Sequence, residues 1–204
     1  TYIVSAQIEM LGLANVTVEV ECWPTVLQLN PSIIPTTPPA GIVMFQVGGA
    51  QQSLISQKLK FRSVVMDGNQ RSLTSAQVSA AATGAGIWAT QLQWASNVAF
   101  EGVVFYDWAT GGTWVPSQVG GTLGQYSATR LAWRGCRFEN NSGVTGAGPI
   151  LLESVRHVVV EGNEFVGFGE NLGAGGSNAG MIYLNYGSLS DIAIVGNVFD
   201  GLIS

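Results

Sequence analysis

Charge is scarce in this chain of 204 residues: Asp, Glu, Lys and Arg together make up 10%, and the formal net charge is −5. Eight Lys and Arg leave no basic stripe to neutralise phosphates, which excludes nucleic acid as the main partner and gives an anionic membrane surface nothing to attract. No apolar run approaches the roughly 20 residues of a membrane span. The two cysteines, Cys22 and Cys136, are too few for a disulfide scaffold and lack the spacing of a metal site, so they leave the redox compartment and their own pairing open. Neither a metal nor another cofactor is expected. A signal peptide is also missing and Thr1 stands where a Met would start a chain, so a processed chain or an excised segment is expected.

What the chain has is apolar material, at 47% of residues, which excludes disorder and supplies a core. It also has an internal repeat. The segments NVTVEVECW (15–23), KLKFRSVVM (58–66), NVAFEGVVF (97–105), RLAWRGCRF (130–138), HVVVEGNEF (157–165) and DIAIVGNVF (191–199) align without gaps. Their last column reads Trp23, Met66, Phe105, Phe138, Phe165 and Phe199, all large and apolar. Two earlier columns, one beginning Val16, Leu59, Val98 and the other Val18, Phe61, Phe100, are apolar throughout. Their separation of two places them on one face of a β-strand, because successive strand side chains point to opposite faces.

An outward column tests that register independently, since charge played no part in finding the alignment. It reads Glu19, Arg62, Glu101, Arg134, Glu161 and Val195, with charge alternating through five copies. Copies stacked about 4.8 Å apart would set each charge against an opposite one, worth a few tenths of a kcal/mol per exposed pair.

The copies recur at intervals of 27 to 43 residues, with turn-rich inserts at 36–41, 109–124 and 168–180, so the insertions are expected in loops on one side of a stack. A second strand precedes the motif at 6–10, 41–45, 86–92, 148–152 and 180–184, and helical periodicity is absent. Short strands recurring once per repeat with no helix between them predict an all-β parallel β-helix, a solenoid of about six coils forming one domain over residues 1–204.

The segments at 15–23, 97–105, 157–165 and 191–199 resemble the coil sequence of the right-handed parallel β-helix, pectin-lyase-like superfamily. The resemblance extends over nearly the whole chain and implies a right-handed solenoid. It is not specific for function, because polysaccharide lyases, glycoside hydrolases, phage tailspikes, adhesins and surface proteins without known activity share the fold. The Asn-Thr-Asp, Asp-Asp, Gly-His-Gly and Arg-Ile-Lys motifs of polygalacturonase-like members do not occur here. The stretch FENNSGVTGAGPI (138–150) is similar to the Phe-x-x-Asn and Gly-Gly-Ala-Ile signatures of polymorphic outer-membrane proteins, which are surface adhesins, although Gly-Ala-Gly-Pro-Ile departs from the second signature.

Chemistry-bearing residues are few. Asn163 and Asn197, following the corner glycine on successive copies, read as a structural ladder of amides. His157, the only histidine, has no evident carboxylate or nucleophile beside it and reads as a surface residue. Asp67, Asp107 and Asp200 follow the large apolar column on three copies and read as turn residues, with a shared acidic groove as the alternative. Trp108 and Trp114, with Asp107, are the candidates for carbohydrate binding, the indoles acting as loop platforms for sugar rings. Asn15 and Asn140 begin glycosylation sequons, Asn140 reading as the more accessible. The expectation is a non-catalytic extracellular or cell-surface β-helix acting in structure or adhesion. The alternative is a polysaccharide-binding or polysaccharide-degrading β-helix. Neither end reads as a cap, so other chains or further domains are expected to cover the open ends.

Overall fold

The computed structural model describes residues 1–19, 25–37, 41–49, 55–84, 86–116, 126–142, 148–167, 181–184 and 188–200. Cys22, Trp23 and the insert at 168–180 lie outside them. Among these residues nineteen strands follow in chain order: β1 (Tyr2–Val4), β2 (Ile8–Met10), β3 (Thr17–Glu19), β4 (Val26–Leu29), β5 (Gly41–Val47), β6 (Ser56–Arg62), β7 (Val65–Asp67), β8 (Gly86–Leu92), β9 (Ala95–Glu101) and β10 (Val104–Tyr106). The rest are β11 (Gly111–Val115), β12 (Ala128–Arg134), β13 (Arg137–Glu139), β14 (Ile150–Leu152), β15 (Val155–Glu161), β16 (Glu164–Val166), β17 (Ile182–Leu184), β18 (Leu189–Val195) and β19 (Val198–Asp200). Every third strand returns to the same sheet, and neighbours within a sheet run parallel. Sheet A is β1-β4-β7-β10-β13-β16-β19, sheet B is β2-β5-β8-β11-β14-β17 and sheet C is β3-β6-β9-β12-β15-β18. The fold is all-β, three stacked parallel sheets of the kind a β-solenoid has.

The aligned columns are the physical rungs. In sheet C, Leu59, Val98, Leu131 and Val158 stand in register and buried, as do Phe61, Phe100, Trp133 and Val160. In sheet A, Phe105, Phe138, Phe165 and Phe199 form one stack of rings with centroids 4.7, 4.7 and 4.9 Å apart and interplanar angles no greater than 13°. The column continues through Met66 to Leu27 of β4, which takes the rung assigned from sequence to Trp23. The register of the charge column also holds: on adjacent strands Glu19 stands opposite Arg62, Arg62 opposite Glu101, Glu101 opposite Arg134 and Arg134 opposite Glu161.

Left-handed backbone makes the corners. Between sheets C and A the chain turns on Ser63, Gly102, Gly135, Gly162 and Gly196, all with φ between 53° and 63°. A second left-handed column runs through sheet C: Lys58, Asn97, Arg130, His157 and Asp191 lie inside their strands and Asn15 just ahead of β3, all with φ of 54° to 58°. The five inside strands are skipped in the register, so β6, β9, β12, β15 and β18 bend there and their outer face becomes concave. The asparagine ladder is structural: Asn163 accepts from the Cys136 N–H at 2.8 Å and donates to the Trp133 carbonyl, while Asn197 accepts from the Asn163 N–H and donates to the Val160 carbonyl.

Three expectations are corrected. The stretch Gly111–Val115 belongs to sheet B, not to a loop. Its glycines are there because a Cβ on Gly112 would lie 2.9 Å from both Phe105 and Phe138 ring carbons, and one on Gly111 would lie 2.6 Å from the Gly148 carbonyl. Long connections occur at two corners, A to B (68–85) and B to C (116–127), rather than on one side. There is also a helix, α1 (Ser75–Ala82), opened by a Thr74–Gln77 capping box; Gln77 donates to the Pro31 and Ile34 carbonyls and so ties α1 to the preceding connection.

Candidate functional site: a groove on the concave face of sheet C

Trp108 is not a surface platform. It is fully buried in the core, its indole N–H donating to the Met66 carbonyl at 2.8 Å. The indole packs directly against Gly68, where a Cβ would come within 2.7 Å of it. Asp107 is also buried, with φ 56°, and accepts from the Arg71 N–H at 3.3 Å. Burial raises its pKa from the usual carboxylate value, the nearby Asp67 adding to the effect. Asp67 accepts from the Asn69 N–H at 2.8 Å and from the Gln28 amide at 2.7 Å. Asp67 ends β7 and Asp107 follows β10, each at the start of a turn, and Asp200 stands at the end of β19, three strands from β10.

Trp114 lies on the outer face of sheet B, half-buried, stacked on Trp88 at 6.0 Å with its N–H on Glu153. It packs with Val43, Leu151 and Tyr183, a cluster separate from the core that holds Trp108. The structure therefore does not bring the two tryptophans together. Asn15 is exposed and Asn140 only half-exposed, its amide lying over Gly167, which reverses their expected order of accessibility. Cys136 is a free, buried thiol, and burial pushes its pKa up to about 12.

The concavity of sheet C holds a groove of about 470 Å³. Its floor is the outward column between the two apolar ones: Ala99, Ala132, Val159 and Ala193, in register on four successive strands. One wall is the left-handed column Asn97, Arg130, His157 and Asp191, and Arg134 stands at the other. Each wall residue is aimed outward by its bend, because the inward positions beside it, Val98, Leu131 and Val158, are taken by the core.

The electrostatics of the groove are uneven. His157 Nδ1 lies 3.3 Å and Arg156 Nε 3.4 Å from the Asp191 carboxylate, so the histidine does have a carboxylate neighbour, supplied by the next strand. Arg134 pairs with Glu161 at 3.2 Å rather than with Glu101, whose carboxylate is held by Lys60 at 3.0 Å and Arg62 at 3.1 Å. The hydrogen bond from Lys60, with the contacts from Arg62, holds the Glu101 carboxyl below its usual range. None of the ion pairs among the described residues includes Arg130, which is exposed.

Sequence reasoning missed this groove. The available signal was an outward strand column of small apolar residues, Ala99, Ala132, Val159 and Ala193, where solvent-facing positions are usually polar. Among the described residues no group of three His, Cys, Asp or Glu could hold a metal ion, and no helix is long and apolar enough to cross a membrane. No family model, curated protein or solved structure matches this chain.

Proposed function

We propose that this chain is a right-handed parallel β-helix of about six coils that acts without catalysis, outside the cell or at its surface, as a structural and adhesive module contacting an extended polymer through the sheet C groove. The observation that carries the reading is the groove itself: four strands contribute one small floor residue and one polar wall residue each, a surface that repeats along the stack and suits a repeating ligand. Glycoside hydrolysis uses two carboxylates facing each other across the bond. The lining acid is Asp191, already engaged by Arg156 and His157. That balance favours binding over cleavage.

Partners follow from the edge formed by β17, β18 and β19. Leu184, Ile194, Val195, Val198 and Phe199 are 43% to 57% exposed there, and a further rung of parallel strands would cover them. Screening the protein against acidic and neutral glycans for both retention and cleavage tests the proposal. Binding without turnover supports it. Turnover overturns the non-catalytic reading, and absence of any binding overturns the groove as its contact surface.

A further inference from the structure

Ten large hydrophobic residues are exposed among the described residues, and eight of them lie on strands that end the three sheets: Tyr2, Ile3 and Ile8 on β1 and β2, and Leu184 with four residues of β18 and β19. The first edge (β1, β2, β3) and the last edge (β17, β18, β19) match column by column. Followed through the register, Phe199 stands in the column of Tyr2. Ile182 stands in that of Ile8, and Ile194 in that of Val18. The open hydrogen-bonding groups are also in phase. At the last edge the Val198 N–H donates to the Asn163 carbonyl and the Asp200 carbonyl accepts from the Gly167 N–H, so Phe199 between them turns its own N–H and carbonyl to the open side. At the first edge the Val4 carbonyl accepts from the Asn30 N–H, which leaves the N–H and carbonyl of Ile3 facing outward. With Phe199 set against Tyr2, the Ile3 N–H meets the Phe199 carbonyl.

We infer that the partner of the last edge is a second copy of this chain, whose β1, β2 and β3 add to β19, β17 and β18, so that copies join head to tail; the inference rests on that edge being covered by a rung of parallel strands, as proposed above. The ring stack of sheet A then runs on from Phe199 to Tyr2 of the next copy. Outward positions are compatible as well, because Glu9 meets Tyr183, Glu19 meets Val195 and Asp200 meets Ile3, and no acid faces an acid across the joint. Two last edges do not fit each other. A twofold axis reverses the order of the three sheets around the stack, so at most one sheet meets its own kind and the three-residue β17 faces the seven-residue β18. A heterologous joint of this kind does not close, and it builds an open-ended stack.

The test is light scattering of the intact chain over a dilution series, beside two variants that each block one edge. Ile3→Pro removes the donor that meets Phe199 and spares the bonds between β1 and β4, since the Ile3 N–H faces away from the sheet. Ile194→Lys places a charge on an inward position of the last edge. Circular dichroism checks both folds, and Tyr2→Lys or Val198→Lys, at exposed positions of the same edges, replaces a variant whose spectrum changes. The expected result is that the average mass of the parent climbs with concentration past that of two chains of 21.4 kDa, that I3P and I194K alone each stay at the mass of one, and that their equimolar mixture forms a complex of two. A parent that stays at one chain at every concentration overturns the second copy as partner and leaves the groove reading standing. Dimers of either variant alone pair like edges, which overturns the head-to-tail joint and the parallel rung proposed above. A mixture that remains monomeric while the parent associates places the contact on another surface and overturns the inference.

Discussion

Replacing Phe138 with alanine removes the middle of the ring stack that runs through sheet A. The side chain is 1% exposed, sandwiched at 4.7 Å between Phe105 and Phe165, with Gly112 pressed against it from sheet B. Fully burying a phenylalanine is worth about 1.5 to 3 kcal/mol, and each stacked pair adds about 0.5 to 1.5 kcal/mol. The site cannot collapse, because the hydrogen-bonded rungs on either side fix the spacing of the backbone. The expected loss is therefore about 3 to 5 kcal/mol, the range of large core deletions that leave a cavity. Phe199 is a natural control, with one ring neighbour and 47% exposure, and its alanine variant is expected to lose about 1 to 2 kcal/mol. Urea denaturation of both variants followed by circular dichroism reads the two numbers. A loss below about 1 kcal/mol for F138A, or equal losses for the two, would refute the stack as a source of stability.

Gly112→Ala should cost about 1 to 3 kcal/mol in the same melts, since its Cβ meets two aromatic rings at 2.9 Å. Gly135→Ala, where φ is +56° and nothing lies within 4 Å, should cost only about 1 to 2 kcal/mol of backbone strain, and its costing clearly more than G112A would mean that the rings yield. Asp107→Asn keeps a residue tolerant of the left-handed region and removes a buried charge. Because the folded pKa of Asp107 is raised, the native state holds this proton more tightly than the unfolded chain, so its contribution to stability falls as pH rises through the window above the ordinary value of 3.8. The stability of D107N relative to the parent should therefore increase as pH rises above 3.8; a difference constant with pH would contradict the burial argument.

How much of this was legible depended on whether side chains announced their direction. The inward columns did, because Leu59, Val98, Leu131 and Val158 are uniformly apolar, and the charge column then fixed the register that Glu101 and Arg134 occupy. Strand β11 did not, since the glycines that let it pass over the Phe stack are the residues that signal a turn. Helix α1 is one short capped segment with three of its eight residues buried, too brief for a periodic pattern to stand out. Trp108 follows a strand end as a loop residue would, and only the three-dimensional turn reveals that it points inward. In the first repeat, Trp23 and Leu27 competed for one rung, and an aligned count without gaps chose the wrong one. The groove was hardest to see because its walls are unlike residues, Asn97, Arg130, His157 and Asp191, united by a backbone angle rather than by chemistry.

The claim that the concave face of sheet C is the ligand surface is tested most directly by filling it. Ala132 lies at the centre of the floor, with Ala99 and Val159 on the adjoining strands, and its side chain points away from the core. Ala132→Trp should leave the circular dichroism spectrum and the denaturation midpoint unchanged. A glycan that binds the parent chain should lose at least tenfold in affinity for the variant. Undiminished binding by a folded A132W protein would contradict the account.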